Sequence, residues 1–132
     1  MIHPHQIVVK ADGSSVLAEQ IVVGDEVQCS SGQSTVLKIG RVPTKEWVEV
    51  FFHGGRSLLV SSDHRFADEA LVLEDGIRAG DLTIETALAA LMGPLRIDGI
   101  VRIQAPAKAV VLEVSPFLYY LNGVRSHSDE VA

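Results

Sequence analysis

The chain has 132 residues, 47% of them hydrophobic and 21% charged, with a formal net charge of -6 and no long run of like charge. That length sets one domain burying roughly two thirds of its unfolded surface, and the scattered acidic charge excludes a nucleic-acid footprint or a polybasic membrane patch. Cys29 is the only cysteine, so an internal disulfide and a cysteine-based zinc site are both excluded.

In chain order, residues 6–10 read as a strand, and Ala11-Asp12-Gly13-Ser14 as a hairpin turn, because Asp-Gly supplies the positive φ a tight turn needs. Residues 16–23 follow as a strand or a single helical turn, then Gly24-Asp25 turns the chain into 26–29, and 30–33 form another turn. Residues 35–42 alternate apolar and polar until Pro43 is expected to end the strand, and 46–52 form a new one. His53-Gly54-Gly55 closes a hairpin into 57–60, while 70–73 read as a short strand. Residues 82–92 carry a helical pattern, with Ile84, Leu88 and Leu91 on one face and Asp81 as N-cap. Further strands are expected over 97–103, 109–114 and 119–126, with Asn122-Gly123 as a hairpin turn. Many short strands without a βαβ rhythm predict an all-β domain.

A weak internal repeat runs through this pattern. Val36-Leu37-Lys38-Ile39 matches Ile100-Val101-Arg102-Ile103 at an offset of 64 (100 minus 36), and Glu49-Val50 matches Glu113-Val114 at the same offset. Gly24-Asp25 recurs as Gly80-Asp81, and His64 falls opposite His127, 63 positions on (127 minus 64). Two copies of one unit, each ending near a histidine, predict a pseudo-two-fold domain whose related loops meet at one site.

The run Leu59-Val60-Ser61-Ser62-Asp63-His64 is the chemical centre of the sequence, an apolar strand ending in a hydroxyl, a carboxylate and an imidazole. A hydroxyl at Ser61 and an imidazole at His64 are suited to holding a peptide bond, one at its oxygen and the other at its nitrogen. Neighbours on a strand point to opposite faces, so the run is not a hydrolytic triad. Asp63 reads as a turn former that is also placed to orient His64 through its ring nitrogen. The pair His3 and His5 lacks a third ligand nearby and reads as non-metal. Cys29 and Trp47 read as buried hydrophobes, and Arg65 and Arg78 as surface charges.

The ordered motifs Ala11-Asp12-Gly13, Val22-Val23-Gly24-Asp25-Glu26-Val27, Leu59-Val60-Ser61-Ser62-Asp63-His64, Arg78-Ala79-Gly80-Asp81-Leu82, Leu112-Glu113-Val114 and Tyr120-Leu121-Asn122-Gly123-Val124 with His127 resemble the Hint superfamily. Its members are inteins, bacterial intein-like domains and the autoprocessing domain of Hedgehog proteins. The resemblance covers nearly the whole chain: a Hint-like domain over 1–128 and a tail over 129–132. It implies an all-β horseshoe whose first residue, Cys or Ser, attacks the preceding carbonyl to give a thioester or ester. It also implies that Ser61 polarises that bond, that His64 protonates the leaving nitrogen, and that His127 assists cyclisation of a terminal asparagine.

Four departures bear on activity, three of them at chemically necessary groups. Met1 stands at the nucleophile position, and a thioether has no proton to lose. Ser128 stands where splicing members have asparagine, and Asp129 where they have Cys, Ser or Thr; Phe117 sits near a position that is often polar. The chain as given is therefore expected neither to splice nor to cleave, with Met1 either standing in for a native Cys or Ser or marking a degenerate domain. No cofactor is implied, and the expected partners are the polypeptides fused to the domain, with no nucleic acid, no membrane and a monomeric state. No apolar run approaches the roughly 18 residues of a spanning helix and no signal peptide opens the chain, which reads as soluble and equally as a piece of a longer polypeptide. The alternative reading is a noncatalytic all-β structural or interaction module.

Overall fold

In the computed structural model, which describes residues 1–29, 32–69 and 75–131, the chain is nearly all strand. The predicted strand over 70–73 and part of the turn over 30–33 lie outside the described residues. A two-stranded sheet, β1 (Ile7–Val9) with β2 (Ser15–Leu17), is closed by the Asp12-Gly13 turn, where Gly13 takes φ 87°. The other strands are β3 (Glu26–Cys29), β4 (Gly32–Phe52), β5 (Ser57–Ser61), β6 (Arg65–Phe66), β7 (Ile77–Arg78), β8 (Ala87–Leu88), β9 (Leu95–Ser115), β10 (Leu118–Leu121) and β11 (Val124–His127). They form one curled sheet in the order β7-β6-β11-β10-β3-β4-β9-β8, with β5 paired to β4. Its concave side buries Ile2, Val48, Val50, Phe52, Leu58, Val60, Phe66, Leu112, Tyr119 and Leu121.

Two sequence expectations fail, each for a physical reason. Pro43 does not end a strand. β4 runs 21 residues straight through it, pairing antiparallel with the 21-residue β9, and Pro43 faces Lys108 in the register. Between its pairings with β3 and β5, the second edge of β4 has no neighbouring strand among the described residues, so the missing N–H of proline costs no ladder bond there. The predicted breaks therefore vanish and four expected strands merge into two.

Residues 82–92 are not a helix; among the described residues there is none longer than a 3-10 turn. Asp81 ends the 3-10 turn Ala79–Asp81 rather than capping a helix. Thr83 and Thr86 satisfy this stretch locally: Thr83 N–H donates to Thr86 Oγ1, and Glu85 N–H donates to Thr83 Oγ1. Such side-chain bonds compete with helix formation. The supposed apolar face is also not buried, since Ile84 and Leu91 are exposed and only Leu88 is enclosed.

Like hydrogen bonds occur in the two stretches of the weak repeat, in a different register at its start. β9 begins 63 positions after β4 (95 minus 32), in line with the strand matches. The bonds Ile21 N–H to Ala18 O and Ala11 N–H to Glu26 O recur as Leu82 N–H to Ala79 O and Glu69 N–H to Ala87 O. Asp25 Oδ2 accepts from Val22 N–H as Thr86 Oγ1 accepts from Thr83 N–H. Asp25 thus corresponds to Thr86, and the Gly24-Asp25 match to Gly80-Asp81 is incidental.

Candidate functional site

The N-terminal segment is threaded between β5 and β9. Ile2 exchanges backbone bonds with Val110 at 2.9 and 2.8 Å, and His3 N–H donates to Leu59 O. Gln6 helps hold it, its Oε1 accepting the Leu59 N–H at 2.7 Å. At the other end of β1, the Asn122 side chain accepts from Val9 N–H and donates to Ile7 O, at 2.8 and 2.7 Å. Asn122 and Gly123 both take positive φ, so the turn between β10 and β11 also anchors the first strand.

This threading delivers Met1 to the turn after β5. Ser61 N–H donates to Met1 O at 3.0 Å, and His64 N–H donates to Ser61 O, closing the turn. The 3-10 turn Ala79–Asp81 backs it: Ala79 N–H donates to His64 O and Gly80 N–H to Ser62 O. His64 is fully buried and packs edge-on to Phe66, with ring centroids 4.7 Å apart. Its Nδ1 lies 2.8 Å from the Met1 amine nitrogen, and its Nε2 lies 3.0 Å from Ser126 Oγ.

The order of bonds assigns the tautomer. The Met1 amine at 2.8 Å is a donor, so Nδ1 carries the lone pair and Nε2–H donates to Ser126 Oγ, whose own hydrogen is left to Val124 O at 3.4 Å. Burial holds His64 well below the usual histidine range, with the amine charge and then His127 adding to the effect. The imidazole is thus neutral near pH 7. Ser126 was not singled out from sequence, although the alternation of β11 places it inward, where a buried hydroxyl needs a partner.

Asp63 does not orient His64. It is exposed, and Arg78 pairs with it across the rim. Ser61 Oγ is buried without a partner among the described residues. His127 is half-buried, 6.3 Å from the Phe117 ring; burial first and Arg65 second lower its pKa. It shares with Met1, Asp63, Arg65, Arg78 and Asp129 a cleft of about 420 Å³. A separate apolar hollow of about 390 Å³ beside Asn122 contains none of these site residues.

The chain after β11 folds back along β9. Ser128 Oγ accepts from Val114 N–H at 2.8 Å and donates to Asp129 O. Asp129 exchanges bonds with Leu112 through its own N–H and through Oδ2, and it forms an ion pair with the Met1 amine at 3.3 Å. His3 packs edge-on to Trp47 and accepts the His5 N–H at Nδ1, while Trp47 is core and donates to Ala105 O.

No protein-family model matches the chain, and no curated protein matches it. Solved structures do match. The gp41-1 intein is 21% identical with a TM-score of 0.80, over 96% of this chain and 97% of that one. A DnaB intein from Synechocystis is 15% identical at TM-score 0.76, over 98% of each chain. A bacterial intein-like domain from Clostridium thermocellum is 23% identical at TM-score 0.76, over 97% of this chain and 99% of that one. The fold is therefore the Hint fold.

Proposed function

We propose that this chain is an intein-like autoprocessing domain acting on the peptide bond preceding residue 1, and that Met1 holds it in an inactive form. One observation carries the reading: Met1 N lies 2.8 Å from Nδ1 of a buried, neutral His64. In a chain extended before residue 1, that atom is the amide nitrogen of the bond to be broken.

With cysteine at residue 1, Nδ1 takes the thiol proton and the sulfur bonds to the preceding carbonyl carbon. The carbon–nitrogen bond then breaks, and Nδ1 returns the proton to nitrogen, leaving a thioester and a free α-amine. Methionine has no proton to give and the sequence of steps does not begin. Ser61 supports the arrangement through its N–H to Met1 O and its unpartnered buried hydroxyl. His127 stands on the wall of the same cleft, but Ser128 cannot cyclise to an imide, so N-terminal cleavage is favoured over splicing. The partners are the flanking polypeptides of a monomeric domain, and the chemistry calls for no cofactor, nucleic acid or membrane.

A second reading, a noncatalytic module, draws on Ser128, whose hydroxyl is occupied in fastening the tail to β9. The two readings are separated by fusing a carrier protein ahead of a Met1→Cys variant and following carrier mass by mass spectrometry with and without a small thiol. Thiol-dependent release supports autoprocessing; a folded fusion that releases nothing supports the module.

A further inference from the structure

We infer that Asp129 is a latch for the α-ammonium freed when the bond before residue 1 breaks, keeping the acyl group from returning to nitrogen. The inference rests on the autoprocessing reading above. Asp129 occupies the place where splicing members have a second nucleophile, and here its carboxylate is turned back onto the first residue rather than outward.

The carboxylate is held in place independently of the amine. Asp129 N–H donates to Leu112 O at 2.8 Å, and Oδ2 accepts from Leu112 N–H at 3.1 Å. Its side chain is only 13% exposed, and its oxygens lie 3.3 and 3.4 Å from Met1 N. An amide nitrogen carries no charge, so this ion pair is available only on the cleaved side of the acyl shift.

The shift is reversible because a neutral amine beside a thioester attacks its carbonyl carbon, reforming the amide and expelling the thiolate. A protonated amine has no lone pair for that attack. Burial is the larger influence and holds the amine below its ordinary pKa, toward the neutral form; the charge of Asp129 is the largest influence opposing this and keeps the amine more protonated than burial alone would leave it. His64 also touches the amine through Nδ1, Asp63 lies farther off, and Arg65, Asp75, Arg78, His127 and Glu130 line the same cleft; Tyr119 is the titratable side chain that senses Asp129 from the core.

Asp129→Asn is the discriminating variant, because its amide oxygen still accepts the Leu112 N–H while the charge is gone. In the Met1→Cys carrier fusion, Asp129→Asn is expected to slow thiol-dependent release about tenfold and to bring its alkaline limit down by about one pH unit or more. A purely structural contribution lowers the rate equally at every pH. A second measurement uses the chain as it stands: reductive methylation of the Met1 amine against pH, read by mass of the N-terminal peptide. It should begin about one pH unit lower in Asp129→Asn. Identical methylation profiles and identical release profiles would overturn the latch. If the fusion is inert while the methylation profiles differ, the autoprocessing reading falls and the capture of the amine by Asp129 stands.

Discussion

Ser126→Ala removes the one hydroxyl that holds the buried edge of His64. Ser126 is fully enclosed and its Oγ accepts from Nε2 at 3.0 Å, so the variant leaves a buried N–H donor without an acceptor. Losing one partner of a buried hydrogen bond costs about 1–3 kcal/mol, and deleting a hydroxyl from so small a side chain adds little cavity cost. We expect about 2 kcal/mol of lost stability, from that same range. Urea unfolding followed by circular dichroism measures it, with the midpoint lowered and the slope unchanged, as befits a small two-state domain. The same variant tests the tautomer. Nitrogen-15 NMR of the parent should show the His64 proton on Nε2, and Ser126→Ala should release this preference. A loss below about 0.5 kcal/mol, the scale of a surface substitution, together with an unchanged ring spectrum, would refute the claim that Ser126 orients His64.

Other expectations follow from the same packing. The folded pKa of His64 is depressed, so below about pH 6.5 the unfolded chain binds a proton that the folded chain refuses, and stability falls as pH drops, by up to ~1.4 kcal/mol per pH unit from this residue. Urea midpoints between pH 7 and 5 should show that slope, and a slope unchanged in His64→Gln would contradict it. Gly76→Ala forces a side chain into φ 71°, with its Cβ against Phe66 O and 2.8 Å from the His127 ring. The backbone conformation alone costs about 1–2 kcal/mol, so an unchanged urea midpoint would show that the loop gives way freely. Tyr119→Phe removes a buried hydroxyl with no partner among the described residues. It should gain about 1 kcal/mol and raise the thermal midpoint by a few degrees; a loss would reveal a bond to that oxygen.

The all-β class and both Asp-Gly and Asn-Gly turns were legible because they depend on residues adjacent in sequence. Pro43 misled because its tolerance depends on which edge of β4 has a neighbour, and its partner Lys108 on β9 lies 65 positions away (108 minus 43). The helix over 82–92 misled because spacing alone does not reveal that two threonine hydroxyls satisfy the turn or that Ile84 faces outward. Within the site, Ser61 and His64 stood out as a strand-end motif. Ser126 did not, and Asp129 is legible only as a departure from the nucleophile position, since each gains its role from a contact across the fold, with His64 in one case and the Met1 amine in the other.

The most direct test compares carrier release from the Met1→Cys fusion with and without His64→Ala. With His64 present, thiol-dependent release is expected, while His64→Ala slows it by about 10²- to 10⁴-fold and the Met1 parent stays intact. Equal release from both cysteine-bearing fusions would contradict the assignment of His64 as the residue that activates the bond before residue 1.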